Sequence, residues 1–260
     1  MKISICIPQF NRIYCLIKCL DCLQDQCYSD FEVVISDDCS RDDTTSVIHQ
    51  YMKTSKYPIT YFKFDENQGY DRNLRKSLEL ANGKYCLVLG NDDTLTHNEV
   101  LNQLRNFLIA NDYPDIGFCN YQENSDPTKV VQRALETKIL GFGPDVAISK
   151  FSCFSFVAGI IIKKSTFDQF NTSQFDKSIY AQIALALNMV CNGAVMFSIK
   201  ESWVRKDITI ENGGKSNSYL DFINQSYFKI KAADGGLKSV IHVLYQVLDQ
   251  NQMLTPTRQN

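Results

Sequence analysis

Asp92 and Asp93 stand at the end of an apolar run, Tyr85-Cys86-Leu87-Val88-Leu89-Gly90, with Asn91 just before them. A strand buried on both faces reads as a near-continuous apolar run, and ligands of open α/β sheets gather beyond the carboxyl ends of such strands. Hard cations take oxygen ligands, commonly one or two carboxylates, with water and substrate phosphates completing the shell. The chemistry open to this pair is therefore binding of a divalent cation and a diphosphate. Asn, Asp and Thr are also ordinary turn formers, so the bland reading is a solvated turn. A second acidic pair, Asp37-Asp38, follows the strand-like run Phe31 to Ser36. Its alternatives are a ligand-reading site or helix capping and surface charge.

The elements that must hold these acids repeat in one order. Lys2 to Ile7 reads as an apolar strand, Pro8-Gln9-Phe10-Asn11-Arg12 as a polar turn, and Ile13 to Leu23 as a helix with apolar residues at helical spacing. Phe31 to Ser36 follows as a strand, with Asp42-Asp43-Thr44 as a helix start. Ile59 to Phe64 is a third strand, then Asn67-Gln68-Gly69 and a helix from Tyr70 to Ala81 that Asn82-Gly83 closes. Strand, polar turn and helix in repetition predict an α/β fold with a Rossmann-like, mostly parallel central sheet flanked by helices and right-handed crossovers.

Five ordered segments resemble the family 2 glycosyltransferases of the GT-A fold: Ile3 to Arg12, Phe31 to Ser40, Asn67-Gln68-Gly69 with Arg72-Asn73, Ala81 to Tyr85, and Asn91-Asp92-Asp93. The resemblance covers about the first 100 residues and fades beyond Tyr121. It implies transfer of a sugar from a nucleotide diphosphate sugar to an acceptor hydroxyl, with Mg2+ or Mn2+ stabilising the departing diphosphate. By the family pattern Asp93 is the metal ligand, and Asp92 supports it or the ribose. Asn91 replaces the usual acid and, lacking charge, would accept a ribose hydroxyl or hold a metal-bound water. Asp38 resembles the residue that reads the base; a UDP-sugar is favoured because a carboxylate accepts the uracil ring N–H, while cytidine would have to offer its amine. Pro8, Phe10 and Asn11 would frame base and ribose, Phe10 by stacking. Asn67, Gly69 and Asn73 belong to the same nucleotide-sugar side, and Arg12 and Arg72 would reach phosphates as forked donors.

The second half is read with fewer signals. Ile116 to Tyr121, Val157 to Ile162 and Ala194 to Ile199 read as strands. The stretch from Gln122 to Gly143 reads as a mobile loop that closes over substrate. Tyr121, Phe142, Phe154 and Phe156 would serve as core or as stacking platforms. Trp203 to Lys206 reads as a loop over the diphosphate, with Arg205 as the contact. The family's general base would fall near the helix that begins around Ser178, where this chain has Ala181-Gln182. Three explanations stand: Asp176 acts from one turn earlier, the departing phosphate takes the proton with retention, or the chain binds without turnover. His97 reads as a helix-start residue. Gly213-Gly214-Lys215-Ser216 reads as a flexible turn, since it lacks the remaining glycine of a phosphate loop. The resulting division is a nucleotide-sugar-binding region over 1–121, an acceptor and catalytic region of the same domain over 122–215, and a C-terminal helical extension over 216–260.

Composition narrows the classes. The chain has 260 residues and a formal net charge of −2, which offers no electrostatic footprint for nucleic acid. Several of the ten cysteines lie inside apolar strands or helices, as Cys6, Cys15, Cys19, Cys86 and Cys191 do, which suits buried thiols in a reducing compartment. No apolar run approaches the roughly 20 residues that span a bilayer. The expectation is a cytoplasmic enzyme, acting on a saccharide or lipid-linked saccharide in surface polysaccharide assembly (O-antigen or capsule). Its acceptor would leave room for peripheral contact at the inner face of the membrane, through the helix pattern at Leu237 to Leu248 if that helix does not pack on the core. The rival readings are a nucleotide-sugar-binding protein without turnover and, more weakly, a nucleotidyltransferase.

Overall fold

A computed structural model describes residues 1–208 and 236–251. Gly213 to Ser216, and most of the expected 216–260 extension, lie outside the described residues. The chain runs β1 (Ile3–Gln9), α1 (Ile13–Gln24), β2 (Phe31–Asp37), α2 (Thr44–Tyr51), β3 (Ile59–Lys63), α3 (Tyr70–Glu79), β4 (Tyr85–Val88), β5 (Thr94–Leu95), α4 (Val100–Ala110) and β6 (Ile116–Glu123). There follow β7 (Val130–Val131), β8 (Lys138–Gly141), α5 (Pro144–Lys150), a 3-10 turn (Phe151–Phe154), β9 (Ile160–Lys163), α6 (Lys164–Phe170), α7 (Ala181–Cys191), β10 (Met196–Lys206) and α8 (Leu237–Gln250).

One sheet orders the strands β3-β2-β1-β4-β9-β6-β10-β5. The first four are mutually parallel, as alternation with helices demands. Beyond β4 the sheet is mixed: β9 enters antiparallel between β4 and β6, while β10 returns parallel to β6. Side chains of β1 alternate between two cores. Ile3, Ile5 and Ile7 join the helical layer of α1 and α4, and Cys6 joins Val34, Leu74 of α3 and Ile183 of α7 on the other face. Burial on both sides explains the unbroken apolar runs, each fully buried aliphatic side chain contributing about 1.5–3 kcal/mol. Helix α8 buries Val243 and Val247 in the second core and leaves Ile241 and Tyr245 exposed.

Two segments differ from expectation. The stretch read as a mobile loop, 122–143, contains β7 and β8, which pair antiparallel to β6 and β10. The strand over Ala194 to Ile199 does not end there. It passes a register shift near Ser202 and continues to Lys206, because Trp203 and Val204 return to the core after the exposed Lys200 and Glu201. The described part of α8 matches the helical spacing from Leu237.

Candidate active site

The ends of β1, β2 and β4 open into one cleft of about 310 Å³. Strand β1 and its turn supply Pro8, Gln9, Phe10 and Arg12; β2 supplies Asp38; α3 supplies Tyr70 and Asn73; the turn after β4 supplies Gly90 to Asp93. The opposite wall is Ser155 to Val157, before β9, and Ile179, Tyr180 and Gln182 at the start of α7.

Turn chemistry accounts for the acids beside β2. Asp37 Oδ1 accepts from the Ser40 amide (2.8 Å) and hydroxyl, and Oδ2 accepts from the Tyr61 hydroxyl at 2.6 Å. Asp37 thus shapes the turn. Asp38 accepts the Gln68 amide at 2.6 Å and the Gly69 amide at 3.0 Å, while Asn67 Nδ2 donates to its carbonyl at 3.2 Å. Asn67 and Gly69 therefore hold Asp38 from behind and are not among the residues that line the cleft. Burial pushes the Asp38 carboxyl up, against the two amides, and the charge of Asp37 adds to the rise.

The second acidic pair is more tightly enclosed. Asp93 is 3% exposed, and its Oδ2 accepts the Gly90 amide at 3.0 Å. Burial first, and then the charge of Asp92, hold its carboxyl well above the usual range. A β-carbon at position 90 would lie 2.4 Å from Asp93 Oδ2 and 3.2 Å from Asp92 Oδ1, so glycine is what lets both carboxylates fold inward. Arg12 Nη1 donates to Asp92 Oδ2 at 3.0 Å, and Arg12 Nη2 is buried without a partner among the described residues. Asn11 and Arg12 both sit in the left-handed region, with φ of 54° and 59°, strain of a kind that collects at functional sites. A buried carboxylate in this state suits a hard cation. Among the described residues no three His, Cys, Asp or Glu side chains cluster to hold one, so a cation on Asp93 would depend on oxygens from its substrate.

Gln9, absent from the sequence-derived site, joins the strand ends. Its Nε2 donates to the Asn11 carbonyl and to Thr44 Oγ1 (3.1 Å), its Oε1 accepts from Asn91 Nδ2 (2.8 Å), and its carbonyl accepts from Asn73 Nδ2 (3.0 Å). The signal for it was a polar residue closing an apolar strand.

Pro8, Phe10, Arg12, Asp38, Asn73, Asn91, Asp92 and Asp93 thus converge on the cleft. Besides Asn67 and Gly69, four expected residues do not line it. Asn11 turns its Oδ1 to the Arg41 amide at 3.0 Å. Arg72 forks onto Glu79 at 2.9 and 3.0 Å, and its guanidinium lies over the Phe64 ring. Arg205 sits on β10 opposite Thr94, a consequence of the strand continuing where a loop was expected. Asp176 forms a two-pronged ion pair with Arg75 at 2.8 and 2.7 Å.

The wall opposite the acids has two anchors that spacing alone does not reveal. Arg133 is half-buried, and its partners among the described residues are carbonyls, with no carboxylate. Its Nε and Nη2 donate to the Cys119 carbonyl, Nη1 to those of Cys153 (3.0 Å) and Phe156 (2.9 Å), and Nη2 to that of Ala158 (2.8 Å). Those bonds engage every donor of a guanidinium and fix the segment that carries Ser155 to Val157. Asp71 does the same for Ile179 and Ala181, accepting their amides at 2.7 and 3.1 Å. Ile179 has φ of 64°, a genuine outlier for a β-branched residue, and the Asp71 bond compensates.

The architecture is that of the GT-A glycosyltransferases. Residues 4–170 match the profile of glycosyl transferase family 2, and the chain belongs to that family. It is 30% identical over 187 residues to the abequosyltransferase RfbV of Salmonella typhimurium, an alignment covering 65% of this chain and 54% of that protein. The chain therefore spans about half the length of this relative. Among solved structures it is similar to S. aureus TarS in complex with UDP-GlcNAc, with a TM-score of 0.65 at 17% identity, over 99% of this chain and 74% of that one. It is also similar to the mannosyltransferase PcManGT of Pyrobaculum calidifontis in complex with GDP-Man and Mn2+, with a TM-score of 0.59 at 17% identity, over 96% and 70%.

Proposed function

We propose that the chain transfers a sugar from a nucleotide diphosphate sugar, a UDP-sugar in the first instance, to a hydroxyl of a saccharide or lipid-linked saccharide acceptor in surface polysaccharide assembly. The observation that carries this reading is the opening of Asp38 and Asp93 onto one cleft from the ends of β2 and β4, the parallel strands on either side of β1. Asp38, fixed by two amides, keeps lone pairs for a pyrimidine N–H, and Phe10 and Pro8 flank it. Arg12 offers a buried, unpartnered Nη2 to a phosphate oxygen. Mg2+ or Mn2+ held by Asp93, with Asp92 and Asn91 beside it, would supply Lewis-acid stabilisation of the leaving diphosphate. The Mn2+ bound with GDP-Man in the similar mannosyltransferase supports that choice.

Among the described residues the carboxylates lining the cleft are Asp38, Asp92 and Asp93, all on the nucleotide side. Position 182 offers an amide, which cannot act as a base, and Asp176 is engaged with Arg75. That arrangement favours uptake of the acceptor proton by the departing phosphate. No helix among the described residues is long and apolar enough to cross a membrane. We place the reaction at the cytoplasmic face, where lipid-linked acceptors would bring the protein to the membrane surface.

The test is thermal melting with UDP, Mn2+ and both. Ligands of the native state raise apparent stability by mass action, about 2.7 kcal/mol at a hundredfold excess over Kd. UDP and Mn2+ together should shift the midpoint more than the sum of either alone, and Asp93→Ala should remove that synergy without altering the unliganded fold. No shift with any nucleotide, or full synergy in Asp93→Ala, would sink the reading.

A further inference from the structure

Two buried side chains on the cleft are left with an acceptor that no described residue satisfies. Asn73, 3% exposed, donates through Nδ2 to the Gln9 carbonyl, and its Oδ1 has no partner. Gln182, 5% exposed at the start of α7, has Oε1 buried without a partner. An unsatisfied buried acceptor costs about 1–3 kcal/mol, which a ligand donor would recover. Gln182 also borders a small apolar cavity behind the cleft, but the amide and cationic groups there, Asn171 and Arg75, are bonded to Glu79 and Asp176.

Among the described residues the charged groups that line the cleft are Arg12, Asp38, Asp92 and Asp93, all on the nucleotide side, and Arg12 is paired to Asp92. Among the described residues the wall opposite the acids, Ser155 to Val157 with Ile179, Tyr180 and Gln182, brings neither cation nor anion to the lining. A carboxylated sugar placed there would lose hydration and meet no counter-charge, a cost far larger than an unmade hydrogen bond.

We propose that Asn73 Oδ1 and Gln182 Oε1 accept hydroxyls of the transferred sugar, and that this end of the cleft selects an uncharged sugar over a uronic acid. The assignment rests on the nucleotide-sugar reading and adds the class of sugar to it. A site built to bond a hydroxyl rejects a ligand lacking it more strongly than an apolar pocket rejects a change of size.

Calorimetry in Mn2+ with UDP, UDP-glucose, UDP-N-acetylglucosamine and UDP-glucuronate tests it. At least one neutral sugar nucleotide should bind tenfold or more tighter than UDP and than UDP-glucuronate. Gln182→Met, close in volume but without the acceptor, should bring that sugar nucleotide to within about threefold of UDP while UDP itself is unchanged. Gln182→Glu keeps an acceptor oxygen and should retain most of the increment, which separates hydroxyl binding from a packing role. Equal loss in both variants, no loss in Gln182→Met, no neutral sugar adding to UDP, or UDP-glucuronate binding as tightly as the best neutral sugar overturns the assignment. Failure of UDP itself to bind takes down the nucleotide-sugar reading beneath it.

Discussion

Single residues set how negative the cleft is. Asn91 adds no charge, Arg12 neutralises Asp92, and Asp93 is left as the carboxylate whose burial makes a cation welcome. The position of Asp93 depends on a residue with no side chain. At Gly90→Ala the new carbon would overlap Asp93 Oδ2 at 2.4 Å, and one of the two must move. We expect Gly90→Ala to weaken Mn2+-dependent UDP binding at least tenfold, about 1.4 kcal/mol, with UDP binding in the absence of metal unchanged. Calorimetry with and without Mn2+ measures both, and an unaltered metal dependence would show that the carboxylate does not need this cradle.

At the scale of elements, the acid side and the opposite wall are held by different means. Strand ends of a parallel sheet bring Asp38 and Asp93 together through backbone pairing, with Gln9 bonded to the turn of each neighbour. The segment Ser152 to Ala158 has no such pairing and is held by the Arg133 guanidinium together with the burial of Phe154 and Ala158. Lysine at 133 keeps the charge but has three donors in place of a planar fork of five. Arg133→Lys should therefore destabilise the protein by about 2 kcal/mol, the scale of hydrogen bonds to a charged group. Amide exchange should rise over 151–159 while β1 and β4 stay protected. Uniform exchange across the chain, or no change in that segment, would count against Arg133 as its anchor.

The whole molecule responds to pH through carboxylates that pull in opposite directions. Burial alone would raise Glu32, but bonds from Lys2 (2.6 Å), Ser4 Oγ (2.7 Å) and the Asn82 amide (2.7 Å) outweigh it and hold its carboxyl below the ordinary value. Glu79 is likewise lowered, by Asn171 and then Arg72 against its burial. Such groups add stability that is complete above their unfolded pKa, about 4.3, and lost as pH falls through the folded value. Asp38 and Asp93 are raised, so they favour the folded state at low pH and oppose it as pH rises through their folded values. Glu32→Gln should cost about 2 kcal/mol at neutral pH, the scale of a buried bond to a charged group. Its unfolding midpoint should then fall less steeply than that of the parent between pH 5 and pH 3, the range around the ordinary glutamate value. Parallel pH profiles for the two proteins would show that Glu32 carries no such linkage.

By itself the sequence determined the parallel half of the sheet and the acids at its strand ends, because alternating apolar runs and polar turns are local signals that repeat. Pro8, Phe10, Asp38, Asn73 and Asp93 were legible for that reason. Only the tertiary structure decided the opposite wall. Arg133 lies 20 residues or more before the Cys153, Phe156 and Ala158 carbonyls it holds, and Asp71 lies more than a hundred before Ile179 and Ala181. It decided, too, that Arg72 and Asp176 belong to a half-buried network with Glu79 and Arg75, since a side chain's charge is written in the sequence but the nearest opposite charge is not. Contacts between residues distant in the chain carry no local pattern, and they are what turn a set of strand ends into a closed cleft.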